Sequence, residues 1–209
     1  MFEIITLAIL ILSIVFHEVA HGYAANWLGD PTARLAGRLS PNPLLHVDPI
    51  GSVVVPGFLY LSGAHFLFGW AKPVPYNPYN LRNQRWGESF VAAAGPLANL
   101  FLAGIFSIIV RLADPLALSP AMTEMLGYVI FINVLLACFN AIPIPPLDGS
   151  KIIAPFLPGS LEYKYRALTA YMENLGFIVL LLMVFIFMQI LWEPFSQLVM
   201  FVFHVMSGV

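Results

Sequence analysis

Apolar residues gather into four long blocks, covering residues 4–27, about 90–112, about 122–142 and about 168–192. Each is wide enough to cross a bilayer, which takes about 20 predominantly apolar residues. The tail at 194–209 is apolar but short, suited to an interfacial helix or a partial fifth span. The segment at 28–87 is different, because Pro31, Pro41, Pro43, Pro49, Pro56, Gly51 and Gly57 interrupt it. Prolines at this density forbid a long helix. Between them the β-prone runs 52–55 and 58–61 predict short strands and turns, shielded by protein wherever they dip into the membrane. Residues 66–70 read as an aromatic interfacial anchor. The expected architecture is an all-α membrane bundle of about four transmembrane helices with a small β-rich element in the first loop. It forms one domain over residues 1–209, without an internal repeat.

Composition supports the membrane reading. The 209 residues are 60% hydrophobic and only 10% charged, against about 45–50% and about 25% in a soluble domain. So few charges cannot cover a water-facing surface, and lipid is the alternative solvent. A net charge of −2 without any basic stripe excludes nucleic acid as a partner. The single cysteine, Cys138, excludes an internal disulfide framework and sits in an apolar run as a small hydrophobe. The N-terminal apolar run has no Lys or Arg before it and no small-residue cleavage site directly after it, so it reads as a retained helix and not a signal peptide.

The first block contains the sequence His17-Glu18-Val19-Ala20-His21, after a long apolar stretch. Ionisable groups inside a span are costly and mark function by default. On a helix, positions four apart share a face, so both imidazoles can reach one zinc ion, with Glu18 beside it as general base. A catalytic zinc usually takes three protein ligands and keeps a fourth position open. The candidate third ligand is Asp148, in Asn140-Ala-Ile-Pro-Ile-Pro-Pro-Leu-Asp-Gly149, the only acid between Glu124 and Glu162. Taken alone, that pair also reads as an Asp-Gly turn at a membrane boundary. Charge favours the ligand. Arg34, Arg38, Lys72, Arg82 and Arg85 lie in loop one, Lys151, Lys164 and Arg166 in loop three, and only Arg111 borders loop two. Loops one and three are therefore expected on the cytoplasmic side, which brings Asp148 to the same depth as the two histidines.

The two motifs together resemble the site-2 protease family of intramembrane metallopeptidases. His46-Val-Asp-Pro-Ile-Gly51, Gly69-Trp-Ala-Lys-Pro-Val-Pro75 and Ala94-Gly-Pro-Leu-Ala-Asn99 resemble its compact bacterial and archaeal members, over about residues 12–155. The resemblance implies a zinc site at His17, His21 and Asp148, catalysis by Glu18, and a role for Asn140 in positioning substrate or stabilising the oxyanion. It implies a multi-pass protein of a bacterial or archaeal cell membrane, acting on transmembrane protein substrates from the cytoplasmic side. There is no room for an inserted PDZ-like domain. The competing function is a membrane metal transporter or metal-binding protein using the same histidines, which has no need of Glu18.

Weaker signals remain. His46 either approaches the metal or is a solvated or turn-capping residue, the second being favoured. His65 and His204 read as interfacial. Asn99 reads as an interhelical hydrogen-bonding residue, and small Gly95 as a point of close helix approach.

Overall fold

The computed structural model describes residues 2–62, 70–175, 185 and 187–208. Helix α1 spans Phe2–Trp27. A short α2, Thr32–Leu35, and α3, Val55–Leu61, follow in the first loop. Helix α4 spans Gly87–Arg111, α5 Pro120–Asn140 and α6 Asp148–Ile153. Helix α7 is Gly159–Asn174 and α8 is Trp192–Ser207. Among the described residues four stretches are long and apolar enough to cross a membrane: Ile5–Trp27, Gly87–Arg111, Pro120–Asn140 and Gln189–Ser207. This is an integral membrane protein. Its lipid-exposed faces carry large apolar side chains such as Phe16, Phe101, Ile108 and Phe201, all solvent-accessible in the isolated chain.

Local chemistry sets the ends. Ser119 accepts from the Met122 amide and Pro120 occupies the first turn, which starts α5 where the second loop ends. Helix α4 is the hub, packing on α1, α5, α6 and α8. Between α4, α5 and α8 lies a core built on Ala103, Ile130, Val134, Phe195 and Val199. There Phe139, Phe187 and Phe195 meet edge to face, with centroids 4.9–6.2 Å apart.

One expectation fails. No strand exists among the described residues, so the small β-rich element is absent from the described part of loop one. Residues 52–54 belong to a π-helical turn, Pro49–Val54, and residues 58–61 to α3. The cause is local. Asp48 caps the Ile50 and Gly51 amides and Pro49 sits at the first position, so the chain winds into a helix before the valines are reached. The proposed aromatic anchor at 66–70 lies outside the described residues except for Trp70, and His65 lies outside them entirely.

The block expected as a fourth span, 168–192, includes residues 176–184 and 186, which lie outside the described residues. Helix α7 lies at one end of the bundle, where Glu173 pairs with Lys151 at 3.1 Å. Phe187 meets Phe139, in the last turn of α5, edge to face at that same end. Helix α8, read from sequence as a tail, belongs to the stretch Gln189–Ser207 that is long and apolar enough to cross; its Val205 and Met206 carbonyls accept from Arg111, at the far end of α4.

Candidate metal centre

The two histidines of α1 lie one turn apart and face α4. His17 donates from Nδ1 to Asn99 Oδ1 at 2.6 Å, and His21 donates from Nδ1 to the Val91 carbonyl at 2.7 Å. The Asn99 orientation is fixed by its neighbours, since its Nδ2 donates to the Ser13 carbonyl and to Asn133 Oδ1. Both imidazoles thus carry their proton on Nδ1 and turn the Nε2 lone pair into the site. The Nε2 atoms are 3.0 Å apart, and Asp148 Oδ2 lies 3.0 Å from that of His17 and 3.3 Å from that of His21. Three acceptors this close repel one another unless a proton or a cation sits among them. Tetrahedral zinc with Zn–N of about 2.0–2.1 Å separates its ligand atoms by about 3.3 Å. The donor set and its spacing fit a zinc ion, and the three residues could hold one.

Glycines make this approach possible. A Cβ on Gly95 would stand 2.5 Å from the His21 ring and 2.6 Å from that of His17, so α4 can back onto the histidines only without a side chain there. The adjoining Pro96 has no N–H, which removes the helical donor to the Ala92 carbonyl beside the site. On the other wall, Gly149 lies so close to the Ala141 and Ile142 carbonyls that any Cβ would collide with them. The prolines of 143–146 turn the chain back after α5, and α6 then starts at Asp148, aimed at the histidines.

Glu18 lines the same cavity of about 190 Å³, with its Oε2 accepting from the Val74 amide at 2.9 Å. Val74 belongs to an extended strap over residues 70–76. The Trp70 amide donates to Gly51 O, the Lys72 amide to His46 O, and Arg38 donates to the Lys72 carbonyl at 2.9 Å. Asn140 also lines the cavity, and its Nδ2 donates to the Leu136 carbonyl of its own helix at 3.0 Å.

His17, Glu18, His21, Asn140 and Asp148, all singled out in the sequence, thus converge on one cavity. His46 does not join them, nor is it solvated: it is buried at 2% exposure and donates from Nε2 to the Ser40 carbonyl. His204 is exposed on α8 and donates to Met200 O. Sequence reasoning passed over Ser13 and Asn133, which complete the buried network behind His17. Both are polar positions inside apolar spans, the same signal that exposed the histidines. It also passed over Tyr76 and Lys151, which complete the cavity wall.

Comparison with known proteins points the same way. The model of peptidase family M50 matches residues 5–115 and 113–187. The chain is 37% identical over 180 residues to YwhC of Bacillus subtilis, covering 83% of this chain and 77% of that protein. It is 29% identical over 155 residues to Rip2 of Mycolicibacterium smegmatis, covering 74% of this chain and 58% of that protein. Both relatives are provisionally named zinc metalloproteases. No solved structure gives a significant match.

Proposed function

The chain belongs to peptidase family M50, the site-2 protease family, and from that premise we propose that it hydrolyses peptide bonds in or beside transmembrane segments of other membrane proteins. His17, His21 and Asp148 hold the zinc, and Glu18 is the general base. The observation that carries this reading is the convergence of two imidazole Nε2 atoms and one carboxylate oxygen within 3.3 Å, beside a glutamate in the same cavity. A structural zinc site is closed by a fourth protein ligand; among the described residues the ligand group consists of these three.

Zinc bound there supplies a Lewis acid and lowers the pKa of water toward about 7. The protein's own groups do the rest. Glu18, held at Oε2 by the Val74 amide, takes a proton from water as its oxygen adds to the scissile carbonyl carbon. The carbonyl π electrons move onto oxygen. When the C–N bond then breaks, Glu18 returns the proton to the leaving nitrogen. Asn140, beside the cavity, positions the substrate or donates to the developing oxyanion. The substrate must be unwound locally, because a helical carbonyl is already hydrogen-bonded and screened by its neighbours. The basic residues of loops one and three support a cytoplasmic location for this end of the bundle, in a bacterial or archaeal cell membrane.

The test compares wild type with Glu18→Gln in detergent, measuring zinc content and cleavage of single-span substrates. Both proteins are expected to hold one zinc ion, with cleavage by Glu18→Gln reduced at least a hundredfold, the lower end of general-base contributions of about 10²–10⁴. Zinc-loaded Glu18→Gln that still cleaves would remove Glu18 as the base, and metal moved across a vesicle membrane by both proteins without cleavage would favour the transporter reading instead.

A further inference from the structure

Resting on the hydrolase reading above, we propose that Lys151 is the electrophilic group of this site, binding the anionic tetrahedral species formed when water adds to the scissile carbonyl. Lys151 lies one turn after Asp148 on α6, and side chains three apart share a face about 5–6 Å apart at Cβ. It lines the same cavity as Glu18 and the ligand triad, and is its only lysine or arginine among the described residues.

Its surroundings fix it there as a cation. Its Nζ lies 3.1 Å from Glu173 Oε1 and 5.7 Å from the centroid of the Tyr76 ring. Tyr76 in turn donates to Glu88, and Arg166 of α7 pairs with the same carboxylate, so the pocket wall is braced from α4 and α7. Burial opposes the charge on Lys151, but the Glu173 and Glu88 carboxylates favour it, and its pKa is held above the ordinary lysine value. Burial pushes the Tyr76 phenol up to about 12, so it stays neutral beside the ammonium. An ammonium ion has three donors; Glu173 uses one and the Tyr76 oxygen a second, which leaves one for a ligand.

Asn140, also in the wall, is a neutral donor and brings no charge to the site. Asn140 already gives Nδ2 to Leu136 O. During addition, negative charge leaves the Glu18 carboxylate, which gains a proton, and appears on the former carbonyl oxygen. A fixed cation that binds the oxygen gaining this charge more tightly than the neutral carbonyl stabilises the transition state over the ground state.

The experiment measures binding of two uncleavable peptides with the same side chains to zinc-loaded wild type, Lys151→Gln, Lys151→Arg and Glu173→Gln. One is a phosphinic peptide, a tetrahedral anion at the reacting position; the other is its uncharged hydroxyethylene analogue. Zinc content is measured alongside. For Lys151→Gln, phosphinic affinity is expected to fall about ten- to a hundredfold, as for loss of a charged hydrogen bond, while affinity for the uncharged peptide changes less than about twofold. Lys151→Arg should restore most of the difference. Glu173→Gln, which breaks the same ion pair but keeps the cation, should keep phosphinic affinity. Equal loss for both peptides, or no loss for either, overturns the assignment to Lys151, as does parallel loss in Glu173→Gln, which would make the ion pair structural. A wild type that holds zinc yet binds neither peptide and cleaves nothing overturns the hydrolase reading itself, and this inference with it.

Discussion

Asn99 shows how one buried amide sets the chemistry of a distant group. It is fully buried, accepts the His17 Nδ1 proton, and is itself oriented by Ser13 and Asn133. Interhelical hydrogen bonds in membranes contribute only about 0.6 kcal/mol on average, so losing this one should leave the bundle folded. Partners that orient metal ligands matter more, with typical losses of 10–100-fold in metal affinity. Asn99→Ala is therefore expected to weaken zinc binding by about that factor in a chelator competition, with unchanged helical content, while Asn99→Asp, still an acceptor, retains most of it. Unchanged zinc affinity in Asn99→Ala would remove the amide from the site. The candidate ligands were legible in the sequence because each breaks an apolar or proline-rich context: His17 and His21 inside a span, Asp148 alone after three prolines. Lys151 was not legible. Its positive charge counted only toward topology, and nothing in the spacing reveals that α6 turns it into the cavity.

At the level of elements, the strap at 70–76 decides where the Glu18 carboxylate sits, and it was invisible beforehand because its contacts come from backbone amides. It is held at Lys72 by His46 O on one side and by Arg38 on the other. Arg38 is 9% exposed, its Nε lacks a partner, and its Nη2 reaches the carbonyls of Lys72 and Pro73. Arg38→Met keeps most of the apolar stem and removes those donors. The expected result is cleavage reduced about ten- to a hundredfold with zinc content unchanged, since displacements of about 1 Å at a reacting group cost that much. Cleavage at the wild-type rate would show that the strap holds Glu18 without Arg38. The β-prone runs nearby failed as predictors for a related reason. Strand propensity describes a residue that fits a pleated, half-buried surface beside a partner strand, and here Asp48 and Pro49 start a helix before any partner strand is met. The single-helix blocks at 4–27, 90–112 and 122–142, by contrast, were recovered to within about three residues, because length and apolarity alone define them.

For the whole molecule, the order of ends along the bundle normal is the property that sequence left open and contacts address. Loops one and three and α7 share the end that carries the metal site, since Arg166 of α7 binds Glu88 at the start of α4 and Lys151 binds Glu173. The 112–119 loop and the end of α8 share the other end, through Arg111. Crossings by α1, α4, α5 and α8 therefore leave the C-terminus on the side of loop two. A fourth span at 168–192 followed by a fifth in the tail would return it to the side of Ser160. Single-cysteine proteins in a Cys138→Ser background separate the two arrangements: one cysteine at Ser119, one at Ser160, and one appended after Val209. In sealed, right-side-out vesicles, a membrane-impermeant maleimide is expected to label the cysteine at 119 and the appended one alike, and the one at 160 only after the membrane is opened. Labelling of the appended cysteine together with that at 160 would restore the five-span arrangement. If instead 160 reacts from outside while 119 and the appended cysteine are protected, the bundle is inverted, and the metal cavity opens away from the cytoplasm although its internal geometry is unchanged.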